Sequence, residues 1–431
     1  MVPHLATALK GPINELEQRL LESMPAIERW FRLEWMEHTP AFYCAVDVRN
    51  AGYKLAPVET GLFPDGFNNL ATEVTPLAVQ AAMAAIEKIC PEAKNLLIIP
   101  EAGSRKTVYH ESLQRLITIF HQAGLHVRLG SLDPAVKAPV KLPLAEGGHL
   151  MLEPVLRQRG RLGLKDFDPC TILLNTPLNE GVPATLKSVH QQYLLPPLHA
   201  GAAVRRMSRH FATYEEVAKK FAKLLGMDPW LIHPMTVACP DVDLQRPQDI
   251  ERIRSQVDAL LTKIRRKHKE YGIADKPFVV LKPGDDRRLL RTVRLRDAKE
   301  FDAVLMHSAE HGALHSMAVH VDEVLVQEGV PTFERINEAV AEPVVYMMDR
   351  YVVGGYYRVH AEAASEESLM TTGMSYVPLA FESGGLLTRP SQKAAASGPN
   401  RFYMYGVIAR LAMLASSYEL EASDPEADTE D

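Results

Sequence analysis

The sequence predicts an α/β protein in which an amino-terminal βαβ unit is followed by an α+β core, and three observations carry that class. Asn95-Leu-Leu-Ile-Ile-Pro100 and His126-Val-Arg-Leu-Gly130 read as buried strands on either side of a helical pattern from about Thr107 to Ala123, stopped by Gly124. Strand, helix, strand implies a parallel pair. Between Pro277 and Phe381, β-branched runs recur behind turn signals, as expected of a second unit richer in strands. The chain has 431 residues, 46% of them hydrophobic and 24% charged, which is ordinary globular composition and enough for two or three domains.

In chain order, Ile13, Leu16, Leu20 and Leu21 fall at helical spacing, with Trp30, Phe31 and Trp35 beyond them, giving one packing helix or two over residues 11–36. Phe42 to Val48 is a strand. The polar segment behind it carries Arg49, Asn50, Lys54, Asn68 and Asn69 between glycines and prolines, a long loop of the kind that often binds ligands. Arg49 and Lys54 suit a carboxylate, while the asparagines can equally close turns. A helix from about Pro76 to Cys90 precedes the βαβ unit. Glu101 and Arg105 follow its first strand, at the end where open α/β sheets bind ligands, or else form a loop ion pair. Cys170-Thr-Ile-Leu-Leu-Asn175 repeats the pattern and delivers Asn175 to a strand end.

Arg205, Arg206, Arg209 and His210 precede a helix from about Tyr214 to Leu225 and can meet an anion, although a basic run is more often a solvated face. The helix from about Pro247 to Tyr271 sets Lys263, Arg265, Arg266, Lys267 and Lys269 opposite Ile253, Val257, Leu260 and Ile264, which is amphipathic packing and not a nucleic-acid surface. Two domains are expected, 1–245 and 246–418, then an acidic, disordered tail over 419–431. The formal charge of −6 argues against a nucleic-acid partner. Four cysteines without a Cys-x-x-Cys pair suggest reduced thiols, and no amino-terminal signal or long apolar run is read, so a cytoplasmic protein is expected.

The second unit carries the most chemistry. Pro277-Phe-Val-Val-Leu-Lys282 is a strand ending in a cation that rigid backbone can aim at a phosphate, or that merely marks the surface. Glu323-Val-Leu-Val-Gln-Glu-Gly329 ends on Glu328 and Gly329, where a carboxylate can accept from ribose hydroxyls while backbone groups meet an adenine edge. Glu342 to Arg350 and Tyr351 to His360 are two more strands, the second interrupted by Gly354 and Gly355, which signal a bulge or close backbone approach. Arg358 lies beyond them, followed by Glu362, Glu366 and Glu367, a set suited to phosphate plus a divalent cation. His307, His311 and His315 share a helix face by spacing, but nothing supplies a fourth metal ligand.

This order of lysine strand, glutamate strand, arginine and acidic segment resembles the ATP-grasp ligases. More closely, Asp47-Val-Arg-Asn-Ala-Gly-Tyr-Lys-Leu-Ala-Pro57, Leu62-Phe-Pro-Asp-Gly-Phe-Asn-Asn69, Pro196-Pro-Leu-His-Ala-Gly201, Asp228-Pro-Trp230, Val326-Gln-Glu-Gly-Val330 and Arg401-Phe-Tyr-Met-Tyr405 resemble the proteobacterial glutamate–cysteine ligase family over about residues 10–420. The resemblance implies an amino-terminal substrate domain with an ATP-grasp-like core, and ATP- and magnesium-dependent joining of the glutamate side-chain carboxylate to cysteine. Lys282 and Arg358 would then act on the triphosphate with Gln327 and Glu328 beside the nucleoside. Glu367 and Glu362 would hold magnesium, and Arg49, Lys54, Asn68, Asn69, Glu101, Arg105, Asn175 and Arg205 would meet the amino-acid substrates.

The departures fall at chemistry. Where the family has a loop of the Gly-Thr-Tyr-Gly-Met-Gly kind, this chain has Asp285-Asp-Arg-Arg-Leu-Leu-Arg291, and where the family has Glu-Asn-Leu-Asn it has Glu367-Ser-Leu-Met370. Glycine loops close backbone amides over phosphates, and a thioether is a poor ligand for magnesium. Two readings follow. In one the chain is a working ligase, with five arginines from Arg287 to Arg296 standing in for the loop. In the other it is a degenerate homologue that binds a small molecule or another subunit.

Overall fold

A computed structural model describes residues 12–104, 106–158, 160–187, 189–283, 293–301, 320–360, 374–379 and 401–425. Buried backbone must pair its polar groups, and this chain does so mainly in seven helices and three sheets among those residues. The helices are α1 Pro12–Glu22, α2 Met24–Glu37, α3 Thr75–Ile89, α4 Thr107–Gln122, α5 Met207–Leu225, α6 Pro247–Glu270 and α7 Arg401–Glu421.

The first sheet joins β1 Tyr43–Asn50 and β2 Leu55–Gly61 to β15 Arg335–Ile336, β16 Ala339–Met348, β17 Tyr351–His360 and β18 Met374–Pro378. Its order is β18-β17-β16-β1-β2, antiparallel, with β15 on β16. The second contains β3 Asn95–Pro100, β4 His126–Ser131, β5 Val140–Pro143, β6 His149–Pro154, β9 Thr171–Asn175 and β10 Tyr193–Leu195, in the order β10-β9-β3-β4-β6-β5. All its pairings are parallel except β5 with β6. A hairpin of β7 Leu156–Gln158 and β8 Arg161–Gly163 stands apart. The third sheet, β11 Thr236–Asp243, β12 Val279–Pro283, β13 Val293–Leu295 and β14 His320–Glu328, is antiparallel in the order β11-β14-β12-β13.

The parallel β3-α4-β4 unit is the one read from the sequence, and the fold is of the α/β class. The expected division near residue 245 does not separate the sheets, because β1 takes β16 as a partner and strands from residues 43–61 and 335–378 share one sheet. That sheet is covered on both faces. Cys44, Val46, Val48, Ala341, Val345 and Met347 pack on the side of α1, α2, α5 and α7. Tyr43, Val344, Tyr346, Met348 and Val353 pack on the side of α3 and α4. The third sheet buries Val279, Leu281, Val324 and Val326 against α6.

Gly354 and Gly355 fulfil their signal in both senses. The β16–β17 register shifts between Tyr346 and Met347, and a Cβ at Gly355 would stand 2.5 Å from Leu379 and 2.6 Å from the Val344 carbonyl oxygen. Two boundaries moved. Helix α5 begins at Met207, earlier than the apolar pattern indicates, and α7 runs through the residues expected to open a disordered tail. Glu419 is 2% exposed because Arg205 Nε and His210 Nδ1 reach its carboxylate at 3.0 and 3.2 Å.

Candidate functional site

Strand alternation builds the site. Along β1 the side chains of Tyr43, Ala45, Asp47 and Arg49 share one face, opposite Cys44, Val46 and Val48. Register puts Glu342 of β16 across from Arg358 of β17, and Val344 across from both Asp47 and Tyr356. One half of this face is apolar and packs on α3 and α4. The other half is charged and, with β12, β13 and β14, walls a cavity of about 500 Å³.

The charges on this wall are mutually paired. Arg358 grips Asp47 with two guanidinium contacts, at 2.8 and 3.4 Å, while Arg49 Nη2 lies 3.0 Å from Glu342 Oε2. His360 Nε2 lies 3.1 Å from the same Glu342 oxygen. Burial raises the Asp47 carboxyl, but Arg358 and then Arg49 outweigh it and hold the group below the usual carboxylate range. Glu342 follows the same logic, with Arg49 and His360 overcoming its burial. Asp47 drives the Arg358 guanidinium further up, against the cost of burial.

The opposite wall comes from the third sheet, where Arg294, Val280 and Gln327 are cross-strand neighbours and Lys282 stands two residues beyond Val280. The Lys282 ammonium donates to the Val58 carbonyl oxygen at 2.6 Å, and burial lowers its pKa while Glu59 opposes the fall. Arg294 lies over the Phe278 ring, 3.9 Å from its centroid. Gln327 is 1% exposed and its Nε2 has no hydrogen-bond partner among the described residues, an unspent donor on the cavity wall. The turn at Asp65-Gly66 closes one end. Gly66 has φ +80°, and a Cβ there would stand 2.9 Å from the Tyr346 hydroxyl, which donates to the Asp65 carbonyl.

Of the residues singled out from the sequence, Arg49, Asn69, Lys282, Gln327, Glu328 and Arg358 line this cavity. Glu328 is not an unengaged strand-end carboxylate. Lys54 Nζ at 2.7 Å, Trp230 Nε1 at 3.0 Å and the Met235 amide at 2.9 Å all donate to it. Lys54 is fully buried in that pair, 4.2 Å from the Trp230 ring centroid, and burial pulls its pKa down to about 8 despite Glu328.

Asn68, Glu101, Asn175 and Arg205 lie off the cavity lining. Asn68 is exposed, and Glu101 is half-buried with its amide donating to the Tyr109 hydroxyl. Asn175 donates to the Tyr43 hydroxyl and the Pro64 carbonyl and accepts from Tyr109. Arg205 reaches Glu419 and the Thr60 carbonyl, and His210 beside it is 1% exposed, so this basic run is a clamp between elements and not a wholly solvated face. Arg105, Glu362 and Glu367 lie outside the described residues, as do the segment 285–291, Met370, His307, His311 and His315. Among the described residues no group of three or more His, Cys, Asp or Glu side chains is placed to hold a metal ion, and no helix is long and apolar enough to cross a membrane.

Sequence reasoning missed Asp47, Glu342 and His360 as site residues. Their signal was present. Charges at every second position of otherwise apolar strands, Asp47 and Arg49 in β1 and Arg358 and His360 in β17, mark a buried polar stripe.

A mixed α/β protein with a cavity of paired charges between two antiparallel sheets is the class that fold and site define. Its family follows from comparison. The family model described as GshA, glutamate-cysteine ligase, matches residues 17–420, and the chain belongs to that family. A solved structure from Methylobacillus flagellatus KT, provisionally assigned as a gamma-glutamylcysteine synthetase, is 47% identical, with a TM-score of 0.87 over 98% of this chain and 100% of that one. The α/β, ATP-grasp-like fold expected from the sequence is the fold shared with it. More distant matches are a glutathione synthetase-like effector from Globodera pallida, 12% identical with a TM-score of 0.41 over 83% of this chain and 82% of that one, and D-alanyl-alanine synthetase A from Vibrio cholerae. The latter is 10% identical, with a TM-score of 0.32 over 74% of this chain and 80% of that one. No curated protein sequence matches the chain.

Proposed function

We propose that the cavity is the active site of an ATP-dependent ligase that joins the side-chain carboxylate of glutamate to the amine of cysteine. The observation that carries this reading is the convergence of Lys282, Arg294 and Arg358, from three strands of two sheets, on one cavity beside a Gln327 Nε2 that has no hydrogen-bond partner among the described residues. Its volume lies within the roughly 300–1,000 Å³ usual for small-molecule sites. A triphosphate needs several fixed cations, and the cavity offers them; Asp47, Glu59, Asp65 and Glu342 also line it, Asp47 and Glu342 being paired with Arg358 and Arg49.

ATP would supply the phosphoryl group that activates a carboxylate for attack, and magnesium would shield its charge. The chain's part is placement. Lys282 and Arg294 line the cavity from the third sheet and would neutralise phosphate oxygens, while Arg358, preorganised by Asp47, would meet developing negative charge. Arg49, fixed by Glu342, would add its positive charge to the wall that meets an amino-acid carboxylate. The paired walls exclude water from the activated acyl group. Four free thiols fit a reducing cytoplasm.

Release of ADP by purified protein with ATP, magnesium, glutamate and a panel of amines tests the reading. Release that needs both glutamate and cysteine supports it, and release with another amine transfers it to that substrate. The second reading, binding without turnover, is favoured by Asp285-Asp286 and Met370 in place of a glycine loop and a metal-side amide. Turnover at about 1 s⁻¹ or faster, the low end of ordinary enzyme rates, rejects it. If turnover is slower, Ser368→Asn with Met370→Asn raises magnesium-dependent ADP formation.

A further inference from the structure

A second cavity, of about 200 Å³, adjoins the larger one, and the two share Phe278, Pro331 and Thr332 as a common wall. Aromatic packing fixes its interior. The turn between β1 and β2 presents Tyr53, whose ring stacks on Trp230 with centroids 6.2 Å apart, while His268 from the last turn of α6 meets the Tyr53 ring edge-on at 5.6 Å. Both residues line the cavity and are nearly enclosed, Tyr53 being 9% exposed and His268 6%. His268 Nδ1 lies 3.0 Å from the Asp275 carbonyl oxygen, which can only accept, so Nδ1 carries the proton and Nε2 of the neutral ring keeps a lone pair. Burial, then Glu328 and Asp275, push the Tyr53 hydroxyl far above its ordinary pKa, so it remains a donor. Neither that hydroxyl nor His268 Nε2 has a hydrogen-bond partner among the described residues. Buried polar atoms are ordinarily satisfied, so an enclosed donor and an enclosed acceptor left over in one cavity point to an occupant from outside the chain. The rim carries both signs of charge, with Lys276, Arg335 and Asp275 exposed on the lining.

We propose that this smaller cavity binds a zwitterionic α-amino acid with a small apolar side chain, at a site separate from the one between the two sheets. The occupant must bring a donor to His268 Nε2 and an acceptor to the Tyr53 hydroxyl, and the rim calls for one charge of each sign. An α-amino acid meets all of these within one small molecule. Its ammonium donates to His268 Nε2 beside Asp275, its carboxylate accepts from Tyr53 and faces Lys276 and Arg335, and its side chain packs on Phe278 and Pro331. A simple anion would leave the His268 lone pair unmet, and a simple amine would leave Lys276 and Arg335 unanswered. Size agrees: an apolar cavity of about 150 Å³ holds benzene, so this one takes about eight non-hydrogen atoms. Trp230, on which Tyr53 stacks, donates its Nε1 to Glu328 at 3.0 Å, so the occupant would rest on the same aromatic support as the wall of the larger cavity without entering it. The site does not depend on the ligase reading.

The test titrates the full-length chain with L-valine by ligand-observed NMR, beside isovalerate, which lacks the ammonium, and isobutylamine, which lacks the carboxylate. Valine should bind saturably and each truncated analogue at least about tenfold more weakly, the loss expected when a charge-assisted contact is missing. Tyr53→Phe keeps the ring stack and should weaken valine by about fivefold, and Lys276→Ala with Arg335→Ala by about tenfold or more. Saturating ATP should leave valine bound. No saturable valine binding, equal affinity for isovalerate or isobutylamine, or unchanged affinity in the Lys276 and Arg335 double variant would each overturn the proposal. Complete displacement of valine by ATP would do the same, by assigning this cavity to the nucleotide. Because Lys276 and Arg335 are exposed, the double variant decides the outcome even if Tyr53→Phe does not fold.

Discussion

Two regions deliver polar side chains from buried strands, yet only one opens them to a cavity. In the parallel sheet, Asn175 stands at a strand end where α/β proteins usually bind ligands, but its amide is consumed by Tyr43, Tyr109 and the Pro64 carbonyl. In the first antiparallel sheet, Asp47, Arg49, Glu342 and Arg358 sit within strands, pair with one another, and still face open space. A strand end presents one residue to whatever packs nearby. A strand face repeats every second residue, so neighbouring strands can assemble several charges whose cost of burial is shared.

Glu328 lies on the border between the two behaviours, lining the cavity with an oxygen set already taken by Lys54, Trp230 and Met235. Glu328→Ala should therefore cost about 3–5 kcal/mol of stability, because it strands the Lys54 ammonium in the core. Urea denaturation would measure it, and Lys54→Met in the same chain should recover part of the loss. A variant as stable as the parent would mean that Glu328 belongs to the ligand alone.

Lys282 should divide the other way. Its described partner is a single backbone carbonyl, so Lys282→Met should weaken ATP binding by about 2–3 kcal/mol, the range of a charge-assisted contact, with a smaller effect on folding. Calorimetric affinity equal to the parent's would remove Lys282 from the site.

For the parallel sheet the expectation reverses again. Asn175→Ala should lower stability by about 1–2 kcal/mol, since it leaves the Tyr43 and Tyr109 hydroxyls underused, and should leave ligand affinity unchanged. A fall in ATP or glutamate affinity without loss of stability would restore the strand-end reading.

How much of this was legible in the sequence follows from the same contrast. The βαβ unit, four of the six strands described between Pro277 and His360 (β12, β14, β16 and β17) and the amphipathic α6 were readable because apolar spacing reports local structure directly. Lys282, Gln327 and Arg358 were readable as candidates because each stands at or near the end of a recognisable strand. The pairing of β1 with β16 was not, since nothing in either strand names a partner almost three hundred residues away. Without that pairing Asp47 and Glu342 are two unrelated acids. With it, each faces an arginine from another strand. Lys54 and Arg205 misled for a related reason: a cation in a polar segment looks available until the fold supplies Glu328 or Glu419.

The smallest expected effect is a pH dependence that separates the two regions. Asp47 and Glu342 have folded-state pKa values below their unfolded ones because arginines outweigh the cost of burying them. A carboxyl group of that kind binds fewer protons folded than unfolded, so its contribution is complete above the unfolded pKa and is lost as pH falls through the folded one. The part of the melting temperature owed to these carboxylates should hold between about pH 7 and 5 and decline below about pH 4, where unfolded carboxyl groups begin to take up protons. Asp47→Asn removes one such group and should flatten that decline, although it also leaves Arg358 without its partner and lowers the plateau at neutral pH. Asn175→Ala should lower the whole curve in parallel, because an amide exchanges no protons over this range. Identical acid slopes in the parent and in Asp47→Asn would mean that the charged face contributes nothing pH-dependent to folding, and that its pairs form only when a ligand fills the cavity.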